Sequence, residues 1–503
     1  MILKQSQQIV NTIFSNEIFD EIDTKTLLKK YDITSDIYKV NAKIKPSQEV
    51  KLQDSFEIDS IPPQGIKITK KGHYTFSSDI HWQPDETEIA ISIQCSGVSI
   101  DFNQFTLFAH IKDIRKSTIG INILNPKTIF FDPKLHKELT DITIINGTLS
   151  GLTLYGICAQ TVSHLHIENV TIDKMHYKNL LTANISPAGI HVNTAKSVQI
   201  ENCKVTNLSV TSSSCAGIQL IETSKGTLID CQMNHFTNHD GSTQGYSYIF
   251  SHNITSTNCE SIDFTSHYQG KTTTLGHTVI GFCPWFCSDL QFNNCKSIGM
   301  TGCCDDCHGM SVFLAMNVEV INFHAADVLD GSGTNTGAKA TGLEVYGLNV
   351  TIEDCTVENI KAIAPQDLQS AGFSAWGAII NFSNCKATNV QVLDKNKNPN
   401  TAYGYGVGFG WAPDPRIEFR NVAANFVTYS GCKSVSCQVA FDTWNHIEST
   451  WKDNISQENC ETSILVQIKG QRTLSANKCS ECPKPFSVTL TNMAKKNVYP
   501  ELS

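Results

Sequence analysis

Apolar and polar positions alternate along most of this chain, in runs too short for helices. Ser197-Val198-Gln199-Ile200 and Leu348-Asn349-Val350-Thr351-Ile352 are examples. A two-residue period in Val, Ile, Thr and Phe predicts short β-strands. The runs share a recurring ending: a residue that is usually apolar, any residue, Asn or Asp, then Cys. It occurs at Ile200-Glu201-Asn202-Cys203, Leu228-Ile229-Asp230-Cys231, Ser256-Thr257-Asn258-Cys259 and Phe292-Asn293-Asn294-Cys295. It returns at Ile352-Glu353-Asp354-Cys355, Phe382-Ser383-Asn384-Cys385, Tyr429-Ser430-Gly431-Cys432 and Gln457-Glu458-Asn459-Cys460. Ile167-Glu168-Asn169-Val170 and Ile321-Asn322-Phe323-His324 are cysteine-free copies. Cys203, Cys231 and Cys259 stand 28 residues apart, whereas Cys385 and Cys432 are 47 apart, which marks a coil with a long insertion.

Short strands at such a period form units that bury a core only by stacking on their neighbours. The expected fold is therefore all-β, a parallel solenoid with about 28 residues per coil. The Asn-Cys pair fits a corner of each coil. Asn and Asp tolerate the left-handed backbone conformation that a tight bend needs. The following residue points inward, where a small apolar thiol packs well. Stacked coils thus predict an internal ladder of structural thiols. Residues 1–45 differ. Gln7 to Phe19 and Thr24 to Tyr31 have helical apolar spacing, with Asp23 or Thr24 as a cap. They predict a helical extension that covers one end of the solenoid, leaving 46–503 as the solenoid itself.

Composition narrows the functions. The 503 residues carry a net charge of −9, with 40% hydrophobic and 17% charged residues. This excludes wholesale disorder and argues against a nucleic-acid partner. No apolar run reaches membrane-spanning length, so no membrane partner is expected. The first residues lack the apolar stretch of a secretory signal. With an odd count of 19 cysteines, reduced thiols and a cytoplasmic location are expected.

Residues 65–110 then add a family. Gly65-Ile66-Lys67-Ile68, Gly72-His73-Tyr74-Thr75-Phe76, Ile89 to Ile93 and Gly97-Val98-Ser99-Ile100-Asp101-Phe102 follow one another in order. This arrangement resembles the first coils of right-handed parallel β-helix proteins of the pectin-lyase-like superfamily, and the coil pattern from 141 onward resembles them too. The resemblance implies a right-handed solenoid with a lateral groove. Its members include polysaccharide lyases, hydrolases, epimerases, esterases and non-catalytic adhesins, so it implies a carbohydrate or polyhydroxylated substrate without choosing a reaction.

Chemistry in a solenoid sits in its loops. Polar residues recur some way after the ladder cysteines: His239 and Asp240, His267, Asp305, Asp306 and His308, Asp367, then Asp442, Trp444 and His446. The densest cluster is Gly302-Cys303-Cys304-Asp305-Asp306-Cys307-His308-Gly309. Crowded carboxylates split their pKa values into an acid and a base, which makes Asp305 and Asp306 catalytic candidates with His308, His267 and Asp442. Polygalacturonase-like members pair two Asp with a separate Gly-His-Gly. Here the elements are adjacent and Glu418 follows Arg416-Ile417 where a Lys is usual, so that family is not assigned.

The same cluster admits a transition metal on Cys304, Cys307 and His308. Cys304-x-x-Cys307-His308 also matches a haem attachment pattern, although haem is not expected on such a fold. The cofactor expectation is thus none, or one metal. Tyr405, Trp376, Trp411 and Trp444 are candidates for stacking on a ligand, with Asp414, Arg416 and His446 as polar contacts. Lys339 is a further candidate for substrate contact; with Glu344, in Lys339-Ala340-Thr341-Gly342-Leu343-Glu344, it reads as a base and acid or, more commonly for such residues, as an exposed ion pair. The partner implied is a small molecule or oligosaccharide. Three functions follow: a carboxylate enzyme on a saccharide, a metal-dependent enzyme on another metabolite, or a non-catalytic binding solenoid.

Overall fold

A computed structural model describes residues 54–85, 88–127, 137–178, 186–211, 213–267, 278–302, 306–331, 339–363, 369–394, 396–399, 406–410, 425–442, 448–457, 462–467, 471–475, 478–480 and 487–489. The expected helical extension at 1–45 lies outside them. Among the described residues there are 37 strands and no helix, hence none long and apolar enough to cross a membrane.

Every pairing between these strands is parallel, and each strand pairs with one in the next coil. The exception is an antiparallel bridge at Leu393 and Pro399. Three files of strands result. One runs through Ala188–Glu201, Cys215–Thr223, Thr243–Ile249, Thr278–Trp285, Asp306–Ile321, Lys339–Glu353 and Gln369–Ser383. A second includes Gly226–Ile229, His252–Thr257 and Ser288–Asn293, together with the later halves of the longest strands. A third runs through Lys204–Thr211, Gln232–His239, Glu260–His267 and Lys296–Gly302. The fold is a parallel β-helix.

The coil length varies. In the first file Ile190, Ile218, Tyr246, Phe282, Met310, Leu343 and Phe373 are successive register partners. The steps are 28 residues from Ile190 to Ile218 but 36 from Tyr246 to Phe282 and 33 from Met310 to Leu343. Pairing holds the strands in line and the loops absorb the difference.

The bends between the second and third files are built as the Asn-Cys motif predicts. Asn202, Asp230, Asn258, Asn294, Asn322, Asp354 and Asn384 all have φ between 50° and 55°. Their side chains bridge coils: Asn258 Nδ2 donates to Asp230 Oδ1 at 2.9 Å, and Asn322 Nδ2 to Asn294 Oδ1 at 2.8 Å. Cys203, Cys231, Cys259, Cys295, Cys355 and Cys385 follow six of them into the core, Phe323 follows Asn322, and Cys432 follows Gly431 at φ 64°; all are at most 1% exposed. Burial pushes the Cys203 thiol up to about 12, so it is a packing group and not a nucleophile at neutral pH.

A second ladder shapes the first file. Gly156, Gly189, Gly217, Gly245, Gly281, Gly309, Gly342, Gly372 and Gly408 stack coil upon coil. A Cβ at Gly281 would sit 2.6 Å from the carbonyl oxygen of Gly309 and 1.9 Å from Ser297 Oγ. Only glycine lets consecutive backbones approach this closely.

Candidate functional site

Strand alternation sorts the first file into two faces. Two residues after the ladder glycines from Gly189 to Gly372 comes an outward position: His191, Gln219, Ser247, Cys283, Ser311, Glu344 and Ser374. Their neighbours on either side along each strand, such as Ile190 and Val192 or Leu343 and Val345, are core residues. The outward file is polar or small throughout, yet none of its members is more than 9% exposed. This face of the sheet is covered.

Charge concentrates at two adjacent coils. The register sets Asp306 beside Lys339, His308 beside Thr341 and Ser311 beside Glu344. Lys339 Nζ donates to Glu344 Oε1. Ser311 Oγ donates to Glu344 Oε2 at 3.3 Å, and His308 Nε2 stands 3.7 Å from the same oxygen. Asp330, fully buried, accepts the backbone N–H of Lys339 at 2.9 Å. His308 is 2%, Lys339 5% and Glu344 9% exposed. Burial by itself would raise the Glu344 carboxyl; the Lys339 ammonium, with His308 and the Ser311 hydroxyl, overcomes it and holds the group below its usual value. A carboxylate is thereby kept charged in a low-dielectric site, with an ammonium and an imidazole beside it.

An aromatic row flanks this cluster on the same face. Trp285, Phe313 and Tyr346 occupy the next outward positions of three successive coils. Ring centroids are 5.7 Å apart for Trp285 and Phe313, and 5.3 Å for Phe313 and Tyr346. Phe286 adds an edge contact to Phe313 at 5.9 Å. In register, the residue after Tyr346 is Trp376. A cavity of about 470 Å³ does exist, but at the early coils, bounded by His110, Lys112, Gly151, Thr153 and His176. It is remote from Glu344.

The structure therefore rearranges the residues expected from the sequence. Asp306 and His308 are on the face that holds Lys339 and Glu344. Cys307 lies between them and turns into the core, where its Sγ donates to the Met300 carbonyl at 3.1 Å. Consecutive strand residues face opposite ways, so Cys307 and His308 do not ligate one metal. His267 is in the third file instead, exposed and stacked on His239 at 5.2 Å. Asp442 ends the strand Val439–Asp442. Asp305, Cys304, Tyr405, Trp411, Asp414, Arg416, Trp444 and His446 lie outside the described residues.

Sequence reasoning weighed Lys339 and Glu344 mainly as an exposed ion pair, whereas the pair is buried. It passed over Ser311, Trp285, Phe313 and Tyr346. The signal that finds them is the glycine repeat: Gly281-Phe282-Cys283, Gly309-Met310-Ser311, Gly342-Leu343-Glu344 and Gly372-Phe373-Ser374 share one phase, and the third residue of each faces outward.

No family model and no curated protein matches the chain. Solved structures with a similar chain path include the catalytic domain of a GH87 α-1,3-glucanase in complex with nigerose, 12% identical over 66% of this chain and 58% of that one, with a TM-score of 0.31. Another is the tailspike of E. coli bacteriophage HK620 in complex with a pentasaccharide, 8% identical over 81% and 74%, TM-score 0.36. A third is the A-module of the Azotobacter vinelandii mannuronan C-5 epimerase AlgE6, 11% identical over 82% and 91%, TM-score 0.31. This chain spans little more than half of the glucanase domain. At such scores the likenesses carry no functional assignment.

Proposed function

We propose that the protein is an enzyme acting on a carbohydrate or polyhydroxylated substrate laid along the outer face of the first strand file. One observation carries this reading: a buried Lys339–Glu344–His308–Ser311 cluster stands beside the aromatic row of Trp285, Phe313 and Tyr346 on one face. Aromatic rings provide flat apolar faces for a ligand, and a few convergent polar groups orient it. Glu344, held as a carboxylate, is the proton acceptor. Lys339 and His308 are positioned to donate a proton or to neutralise a substrate anion, and Asp306 stands beside Lys339 as a second carboxylate. Lysis, hydrolysis and epimerisation all draw on proton transfer by positioned side chains, which such a set can supply. Substrate reaches it by displacing whatever covers the face.

The test is a panel of neutral and uronate oligosaccharides assayed for unsaturated products, new reducing ends and altered stereochemistry. Turnover that disappears in Glu344→Gln, with the fold and ligand binding retained, supports the reading. Binding without turnover on any member of the panel would instead make this a binding solenoid. The burial of the cluster favours that as the second reading, because buried ion pairs also serve purely structural roles.

A further inference from the structure

On the second strand file, away from the proposed groove, lies another constellation. Tyr155–Lys178 and Ala188–Glu201 pair in register, with His166 opposite Gln199 and Glu168 opposite Glu201. Ile167 and Ile200, between them, are core residues, so these four side chains share the outward face. One atom each from His166, Glu168 and Glu201 lies within 4.8 Å of the others. The imidazole Nε2 is shut from solvent, has no hydrogen-bond partner, and stands 3.6 Å from Glu168 Oε2. Each carboxylate already accepts from an amide: Gln199 Nε2 donates to Glu201 Oε1 at 2.6 Å and Asn169 Nδ2 to Glu168 Oε1 at 3.4 Å.

Two features need a counterpart. Like charges directly opposite on neighbouring strands repel. A ring nitrogen shut from solvent that makes no hydrogen bond forfeits part of its solvation. A divalent cation answers both, since it neutralises the carboxylates and takes the nitrogen lone pair. The separation of Nε2 and Oε2 is close to the edge of about 3.4 Å expected for a tetrahedral site with ligands near 2.1 Å. One nitrogen and two carboxylate oxygens, with water completing the shell, suit zinc better than calcium, which prefers oxygen throughout.

We infer that His166, Glu168 and Glu201 form a zinc-type divalent cation site that clips two successive coils together, with Gln199 and Asn169 orienting the carboxylates. The experiment uses the full chain without an affinity tag, stripped with a chelator and titrated with Zn²⁺ by calorimetry and thermal melting. The expected result is about one equivalent bound and a raised melting temperature. His166→Ala and Glu201→Gln lose both, while Gln199→Ala weakens binding roughly 10–100-fold. Glu201→Gln also melts higher than wild type when metal is absent, which shows that the variant is folded. Zinc binding that is unchanged in both ligand variants, or absent from wild type, overturns the inference. So does calcium binding that equals zinc and ignores His166→Ala.

Discussion

Two outward clusters on this solenoid solve the problem of crowded charge differently. Around Glu344 opposite charges meet: an ammonium, an imidazole and a hydroxyl surround its buried carboxylate. Around Glu168 and Glu201 like charges meet: two carboxylates face each other across a strand pair, and the neighbours seen among the described residues are amides and an imidazole. The first pairs its charges within the chain and is buried. The second is half-exposed and sets two carboxylates side by side. The difference teaches that a regular stack makes equivalent positions cheap to fill, and that the identity of two or three residues decides whether such a position is self-sufficient or waits for a ligand.

Removing one charge should therefore have opposite signs at the two places. The largest effect is expected from Lys339→Met, which strands the Glu344 carboxylate in a buried setting. A loss of about 3–5 kcal/mol is expected, read as a lower urea midpoint. Lys339→Met combined with Glu344→Leu should recover most of it. An equal loss in the double variant would show that packing, and not charge, is at stake.

Gly309→Ala comes next. Its Cβ would stand 2.5 Å from the Gly342 carbonyl oxygen and 2.6 Å from Ala325 Cβ. It should cost about 1–3 kcal/mol and disturb His308 and Glu344, while leaving the distant Glu168 pair untouched. A Zn²⁺ titration of this variant that matches wild type would confirm that the two clusters are independent.

Acid should also separate them. The Glu344 carboxyl is depressed in the folded state below its ordinary 4.5. It thus contributes stability above about pH 4.5, and this is lost as pH falls through the lower folded value. Wild type should lose stability in that window, and Glu344→Gln should lack this component. The smallest effect is expected at the other cluster: metal-free Glu201→Gln should gain about 0.2–1 kcal/mol. A loss there would mean that the carboxylates do not repel.

Much of the architecture was legible in the sequence because it is periodic. The Asn-Cys bends marked the corners, since positive φ selects Asn and Asp, and the thiols followed inward. Coil length was harder to read. Insertions such as the one between Tyr246 and Phe282 leave strand register intact, so spacing alone misjudges them. The site was legible only in part. Titratable residues in the 303–308 run drew attention through density, yet alternation sends Cys307 inward and His308 outward. Lys339 and Glu344 looked ordinary because nothing local shows that their face is covered. The glycine ladder, phased differently from the cysteine ladder, carried the missing information.

The central claim is that Glu344 is the proton-transferring carboxylate of a saccharide-binding face. The most direct measurement compares turnover of wild type and Glu344→Gln on whichever oligosaccharide of the panel is processed, with ligand affinity and melting temperature followed in parallel. The account predicts a fall in turnover of about 10²–10⁴-fold with affinity little changed. Turnover that survives the substitution at full rate would contradict it.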